Sequence, residues 1–383
     1  MTNRESAKSR PTVVLTLGRL PVGLDIARSL RAEGYRVVVA EPFGMHLCRM
    51  SNAVHRCVRV ARPDREPERY LDQLADIVLR ERAELVIPVS EETVRVAHLR
   101  PRLPESVRIY TEAPDKLLSL HDKYRFALSA ADSGLAVPET CLPGEIPEPL
   151  PYDVVVKPRL SCSGRDVRFV TRGQTVAAND GDVIQQRIRG EEYSGFCVSR
   201  DGEIHAPVVY RSVVASGSVG VCFERLPEAP AILDWMRRFA AARRHTGFLA
   251  FDFIVDAAGA PYAIECNPRA TSGIHFVEPA ALAAALLDRD FGATPLRDET
   301  LLTESWSCYT ACLGLIGHPA AFREAMGRLR RAHDVTWSRR DPLPFLLMPV
   351  NTFRIIRDAF LSGATFAEVA VRDVEWRQPQ LES

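Results

Sequence analysis

Residues 247–269 read GFLAFDFIVDAAGAPYAIECNPR, and the rest of the chain is organised around this stretch. Two β-rich runs, Gly247 to Asp256 and Pro261 to Arg269, flank the turn Asp256-Ala257-Ala258-Gly259 and predict a hairpin that sets Asp252 across from Glu265. Two carboxylates among Phe251, Phe253 and Ile264 are costly to bury unless a positive charge neutralises them. Magnesium meets that need, because it takes one or two carboxylates together with phosphate oxygens in octahedral geometry. Asp252, Glu265 and the amide oxygen of Asn267 are its candidate ligands. Glu265 and Asn267, two apart on a strand, share a face, and Cys266 between them points the other way, into the core. The alternative is a pair of exposed hairpin charges with an asparagine in the turn.

Upstream, Thr12 to Leu17 reads as a buried strand, Val22 to Glu33 as an amphipathic helix ending at Gly34, and Arg36 to Ala40 as a second strand. The turn Gly18-Arg19-Leu20-Pro21-Val22-Gly23 has glycines too few and too widely spaced for the dinucleotide fingerprint, which excludes a nicotinamide site. A charged helix from Tyr70 to Glu81 leads to an apolar strand, Leu85 to Val89, that ends in Ser90-Glu91-Glu92-Thr93. Those polar groups either face the crevice at the carboxyl end of a parallel sheet or cap the next helix. Asp115 to Ser133 reads as one helix closed by Gly134. Pro143 to Pro151, with four prolines, is a stiff linker. Short β runs follow from Asp153, among them Glu203 to Tyr210, and helical character returns at Ile232 to Arg244.

With these segments in order, the chain resembles the ATP-grasp superfamily over roughly Thr12 to Phe276. Asp252, Glu265 and Asn267 match that family's magnesium ligands. His121-Asp122-Lys123 looks like its Asp-Lys helix, Val154-Val155-Val156-Lys157-Pro158 like the strand whose lysine reaches the nucleotide phosphates, and Ser161 to Val167, with Ser163 and Gly164, like the loop that closes over them. Val183 to Ser194 resembles the hinge. There Gln185 stands where the family often has glutamate, the backbone of Gln186, Arg187 and Ile188 would meet adenine, and Glu192 would accept from the ribose hydroxyls. By the same resemblance Arg269 would contact an acidic substrate or its phosphorylated form. The peptide-ligase branch has a further arginine where this chain has Ala250, and Arg211, at the end of its strand, is the candidate replacement. The loop Thr271 to His275 would shape the acceptor pocket, with His275 a candidate base.

The fold expected is α/β: an ATP-grasp fold with an N-terminal Rossmann-like domain (1–114), a small α+β lobe with its preceding helix (115–190), a larger α+β lobe with the metal site (191–290) and a C-terminal extension (291–383) packed on the large lobe. The function expected is a carboxylate-amine ligase using ATP and Mg2+ or Mn2+ through an acyl phosphate, its partners a small acid and an amine. Phosphorylation of an enolic acid before amine addition, and a nucleotide-binding regulatory subunit without chemistry, are the alternatives. Lysine plus arginine equal aspartate plus glutamate at 49 each, so no long-range field gathers polyanions and nucleic acid is not an expected partner. Nine cysteines lack zinc-ligand spacing and read as reduced and buried, Cys308 and Cys312 included. No apolar stretch long enough to span a membrane occurs, and a cytoplasmic protein is expected, with a homodimer the assembly considered. The segment Trp337 to Phe345 reads as a substrate lid or a docking loop.

Overall fold

The computed structural model describes residues 10–161, 166–216, 219–289, 296–362, 369 and 373–374. Its first sheet is parallel and is built from β1 (Thr12–Leu15), β2 (Arg36–Glu41), β3 (Arg56–Arg59), β4 (Leu85–Ile87) and β5 (Arg108–Ile109), in the order β3-β2-β1-β4-β5. The central strands β2, β1 and β4 are near-continuous buried runs because helices cover both faces, while the edge strands β3 and β5 carry arginines and are half-buried or exposed. Chain order reverses between β1 and β4, so the crevice at their carboxyl ends is a topological switch point. Arg19 follows β1 and Glu91 follows β4, and both line the cavity described below.

The second sheet has β6 (Thr140–Cys141), β7 (Val154–Pro158), β8 (Arg168–Val170) and β9 (Asp182–Gln186), antiparallel in the order β6-β9-β7-β8. The third runs β14-β13-β10-β11-β12-β15-β16, from β10 (Gly190–Arg200), β11 (Glu203–Ser216), β12 (Val219–Arg225), β13 (Gly247–Asp256), β14 (Pro261–Asn267), β15 (Leu301–Thr303) and β16 (His333–Asp334). On one face of this sheet the helix Pro230–Arg243 lays Trp235 and Phe239 against Phe251 and Phe253 of β13, in edge-on contacts 5.2 to 5.4 Å between centroids. Burying each such side chain stabilises by about 1.5–3 kcal/mol. Because strand side chains alternate, this packing drives Asp252 to the opposite face.

The sequence reading of one helix from Asp115 to Ser133 is corrected to two, Pro114–His121 and Lys123–Asp132. Asp122 breaks them: its backbone is extended, and its carboxylate accepts from the N–H groups of Tyr124 and Arg125 as an N-cap. Gly134, with φ +68°, closes the second helix as expected. β11 continues past Tyr210 to Ser216, so Arg211 lies within the strand rather than at its end.

Beyond the third sheet's core, Cys308 and Cys312 pack with Cys222 as expected of buried thiols. The 337–345 stretch packs against the segments around the first sheet through Asp341. Asp341 accepts from the Ser51 hydroxyl at 2.6 Å and the Asn52 N–H at 3.0 Å, and pairs with Arg28 at 3.0 Å. None of that stretch lines the cavity. No helix among the described residues is long and apolar enough to cross a membrane.

Candidate active site

The β13–β14 ladder pairs Asp252 directly with Glu265, as expected, but through a register shift: it steps from Phe253↔Ala263 to Asp252↔Glu265, where the turn's own register would have set Asp252 opposite Ile264. The skipped residue, Ile264, is a β-bulge. Asp252 Oδ1 accepts from the Ser194 hydroxyl at 2.8 Å, and Asn267 Nδ2 donates to Asp252 Oδ2 and Glu265 Oε1, each at 3.3 Å. Cys266 faces the core, where burial raises its thiol pKa well above the usual range. Burial and the facing Glu265 charge push the Asp252 carboxyl up. Burial acts on Glu265 in the same direction, but the ammonium groups of Lys123 and Lys157 more than offset it and hold that carboxyl low. Among the described residues no cluster of three or more His, Cys, Asp or Glu forms. Two carboxylates and an amide therefore make up the donor set, which suits a hard divalent cation that completes its shell with water and phosphate. For Asn267 to join through oxygen its amide must turn over, since Oδ1 now accepts from Arg269 at 3.4 Å.

Lys123 opens its helix and reaches inward because Asp122, capping that helix and paired with Arg159, fixes the turn before it. Its Nζ lies 3.5 Å from Glu265 Oε2 and donates to the Ser161 carbonyl at 2.7 Å. Lys157, near the end of β7, donates to the Ile264 carbonyl at 3.1 Å. Burial pulls its ammonium down to about 8, opposed by the Glu265 charge and aided by Lys123. Ser163 and Gly164 lie outside the described residues.

Between β9 and β10, Gln185 is buried and its Nε2 donates to Thr140 Oγ1 at 3.1 Å. The Gln186 and Arg187 N–H groups donate to Glu139 and Asp153. Ile188 makes no backbone hydrogen bond to the described residues, so its N–H and C=O are open to an adenine edge. The Arg187 guanidinium sits over Phe169, 4.7 Å from the ring centroid. Glu192 is exposed, on the cavity side of β10.

All of these described candidates border one cavity of about 1290 Å3, together with Arg269 and Arg211. Arg269 pairs with Glu91 at 2.7 Å, so Glu91 faces the crevice. Ser90 gives no side-chain cap to the short helix Thr93–Ala97. Arg211 is tied to its cross-strand neighbour Glu224 at 2.7 Å and is half exposed. His275 is buried on Asp25, with Nδ1 2.7 Å from Oδ2, and does not line the cavity.

Sequence reasoning missed Ser194, Tyr210, Glu304, Trp306 and the 348–355 helix as parts of this wall. For Glu304 a signal existed: like Ser90-Glu91, it is a polar residue directly after a short apolar strand.

Residues 120–273 match the family model of the ATP-grasp domain, and the chain has the ATP-grasp fold. Among solved structures it is similar to N5-carboxyaminoimidazole synthetase from Staphylococcus aureus, at 15% identity over 81% of this chain and 87% of that one, with a TM-score of 0.62. It is also similar to the L-amino acid ligase from Bacillus licheniformis, at 18% identity over 72% and 74%, with a TM-score of 0.56. A third is the biotin carboxylase domain of Hydrogenobacter thermophilus 2-oxoglutarate carboxylase, in complex with MgADP, ADP and bicarbonate, at 13% identity over 76% and 73%, with a TM-score of 0.59. Likeness at these identities is a likeness of fold. No curated protein sequence matches the chain.

Proposed function

We propose that this chain, with its ATP-grasp domain at residues 120–273, is an ATP-dependent ligase that phosphorylates a small-molecule carboxylate and joins the acyl phosphate to an amine, releasing ADP and phosphate. The observation that carries this reading is the convergence of Asp252, Glu265, Asn267, Lys123, Lys157 and Arg269 on one cavity. In this reading residues 115–190 form the small lobe and 191–290 the large one, between a domain at 1–114 and an extension from 291, and the protein works in the cytoplasm.

A carboxylate cannot expel oxide, so amide formation needs a better leaving group, which phosphorylation supplies. The open backbone of Ile188 receives the adenine edge and Glu192 the ribose hydroxyls. Lys123 and Lys157 hold phosphate oxygens as point charges. Asp252, Glu265 and Asn267 would hold Mg2+ or Mn2+, which when bound disperses charge on the phosphates. Arg269, released from Glu91, holds the substrate carboxylate and then the oxyanion of the tetrahedral intermediate. Arg211, tied to Glu224, is the second arginine available to the acid.

An oxygen-18 label tests the scheme. With the acid labelled in its carboxylate, one labelled oxygen should leave in the phosphate, with ADP as the other product. AMP and pyrophosphate, or phosphate free of label, would overturn it.

A further inference from the structure

We propose that Glu304 is the base of an amine-acceptor subsite: its carboxylate holds the substrate ammonium and removes the proton that must leave before nitrogen can attack. This rests on the ligase reading and places the second substrate within it. Glu304 lies outside the matched domain. It directly follows β15, which extends the large sheet through β12, and its backbone is pinned at both ends: its N–H donates to Val221 at 2.9 Å and its C=O accepts from Cys308 at 2.8 Å.

Charge accounting singles this residue out. Among the described residues five carboxylates line the cavity: Glu91, Glu192, Asp252, Glu265 and Glu304. Glu91 is neutralised by Arg269, Asp252 and Glu265 form the donor pair, and Glu192 is exposed beside the hinge. Glu304 has no lysine or arginine partner among the described residues, and its side-chain hydrogen bond comes from Ser307 Oγ at 3.4 Å. A cavity carboxylate without a cation is stabilised by a ligand that brings one. Burial and the nearby Asp334 charge push its carboxyl up, against the pull of His275 and the Ser307 hydroxyl.

The surroundings define the rest of the ligand. Trp306, Met348 and Ile355 line the cavity on the same C-terminal elements, and Trp306 is fixed by its Nε1–H donating to the Phe345 carbonyl at 3.1 Å. The acceptor is therefore an ammonium compound with an apolar body. Glu304 takes one proton from R–NH3+, and the freed lone pair forms the C–N bond as the C=O electrons move onto oxygen, giving the tetrahedral intermediate whose oxyanion Arg269 holds. The C–O bond to phosphate then breaks as the carbonyl reforms. Phosphate leaves with that electron pair and takes up the second proton from nitrogen.

Calorimetry on the full chain with Mg-ADP, using phenethylammonium chloride as probe and 2-phenylethanol as its uncharged counterpart, tests the subsite without needing the acid. Phenethylammonium should bind the wild type and bind Glu304→Gln at least tenfold more weakly, while phenylethanol distinguishes the two proteins by less than twofold. Equal phenethylammonium affinity in both, or none in the wild type, overturns the proposal. Glu304→Asp, which keeps the charge, should bind the probe better than the Gln variant, and an ADP melting shift reports that each variant is folded. With an acid identified by ADP release, hydroxylamine, unprotonated at neutral pH, should still trap the acyl phosphate in Glu304→Gln while ligation of phenethylamine falls at least 100-fold. No hydroxamate from the wild type would sink the ligase reading instead. Hydroxamate from both proteins with undiminished amide formation in the variant would sink only the role of Glu304.

Discussion

The ammonium of Lys157 donates to the main-chain carbonyl of Ile264 across 3.1 Å, joining β7 of the second sheet to the β13–β14 hairpin that carries Asp252, Glu265 and Asn267. Ile264 is the residue the β13–β14 ladder skips, and β14 is the edge strand of its sheet, so the contact falls where the ladder's pairing is interrupted. In the proposed site, a nucleotide phosphate beside Lys157 would compete with this carbonyl for the same proton donor.

Lys157→Ala and Lys123→Ala should each weaken ATP binding by about tenfold or more, the scale of one charge-assisted hydrogen bond. Titration calorimetry on the single and double variants checks this. Unchanged affinity in all three would remove both lysines from the nucleotide site.

ATP affinity should fall as pH rises through about 8, where the Lys157 ammonium of the free protein loses its proton. Bound phosphates favour the charged form, so binding above that pH takes up a proton, visible as an enthalpy that varies with the ionisation heat of the buffer. The linkage to folding has the opposite sense. A folded value below the unfolded 10.5 contributes stability that is complete above 10.5 and lost as pH falls through about 8. At pH 7 the charged lysine thus costs the unliganded fold up to about 3 kcal/mol. In Lys157→Met both the pH slope and the proton uptake should vanish.

Glu265→Gln should leave the fold and much of the nucleotide affinity intact while lowering turnover by about 100-fold or more, since the lost charge matters most during phosphoryl transfer. Asp252→Asn should behave alike, and turnover should require Mg2+ or Mn2+. Full activity after exhaustive chelation would refute the metal site.

Arg269→Ala should lower kcat by about 100-fold or more and change ATP affinity by less than threefold, as expected of a group that holds the reacting oxyanion. Its pairing with Glu91 predicts a second effect: Glu91→Gln frees the guanidinium and should lower the KM for the acid. A rise in KM instead would mean that Glu91 is needed to aim the arginine.

The apolar alternation of 247–269 and the short turn at Asp256 to Gly259 were enough to predict the hairpin that carries Asp252 and Glu265. The register leaving the turn, Phe253↔Ala263, would however set Asp252 opposite Ile264, and it is the bulge at Ile264 that brings Glu265 across from it. The same local rules gave the opening βαβ unit, the stop at Gly134 and the inward face of Cys266. They failed at Asp122, where a capping carboxylate divides a stretch whose helical propensity is continuous. They could not show that Arg269 meets Glu91, that Lys157 ends on Ile264, or that Glu304 lines the cavity with no lysine or arginine partner among the described residues. Each of these depends on how separate sheets come together. Periodicity records which face of an element is buried, while the partner across a cleft is chosen by how the separate sheets pack, so the hairpin of Asp252, Glu265 and Asn267 was legible in the sequence and the two ends of the cavity were decided only by the tertiary structure.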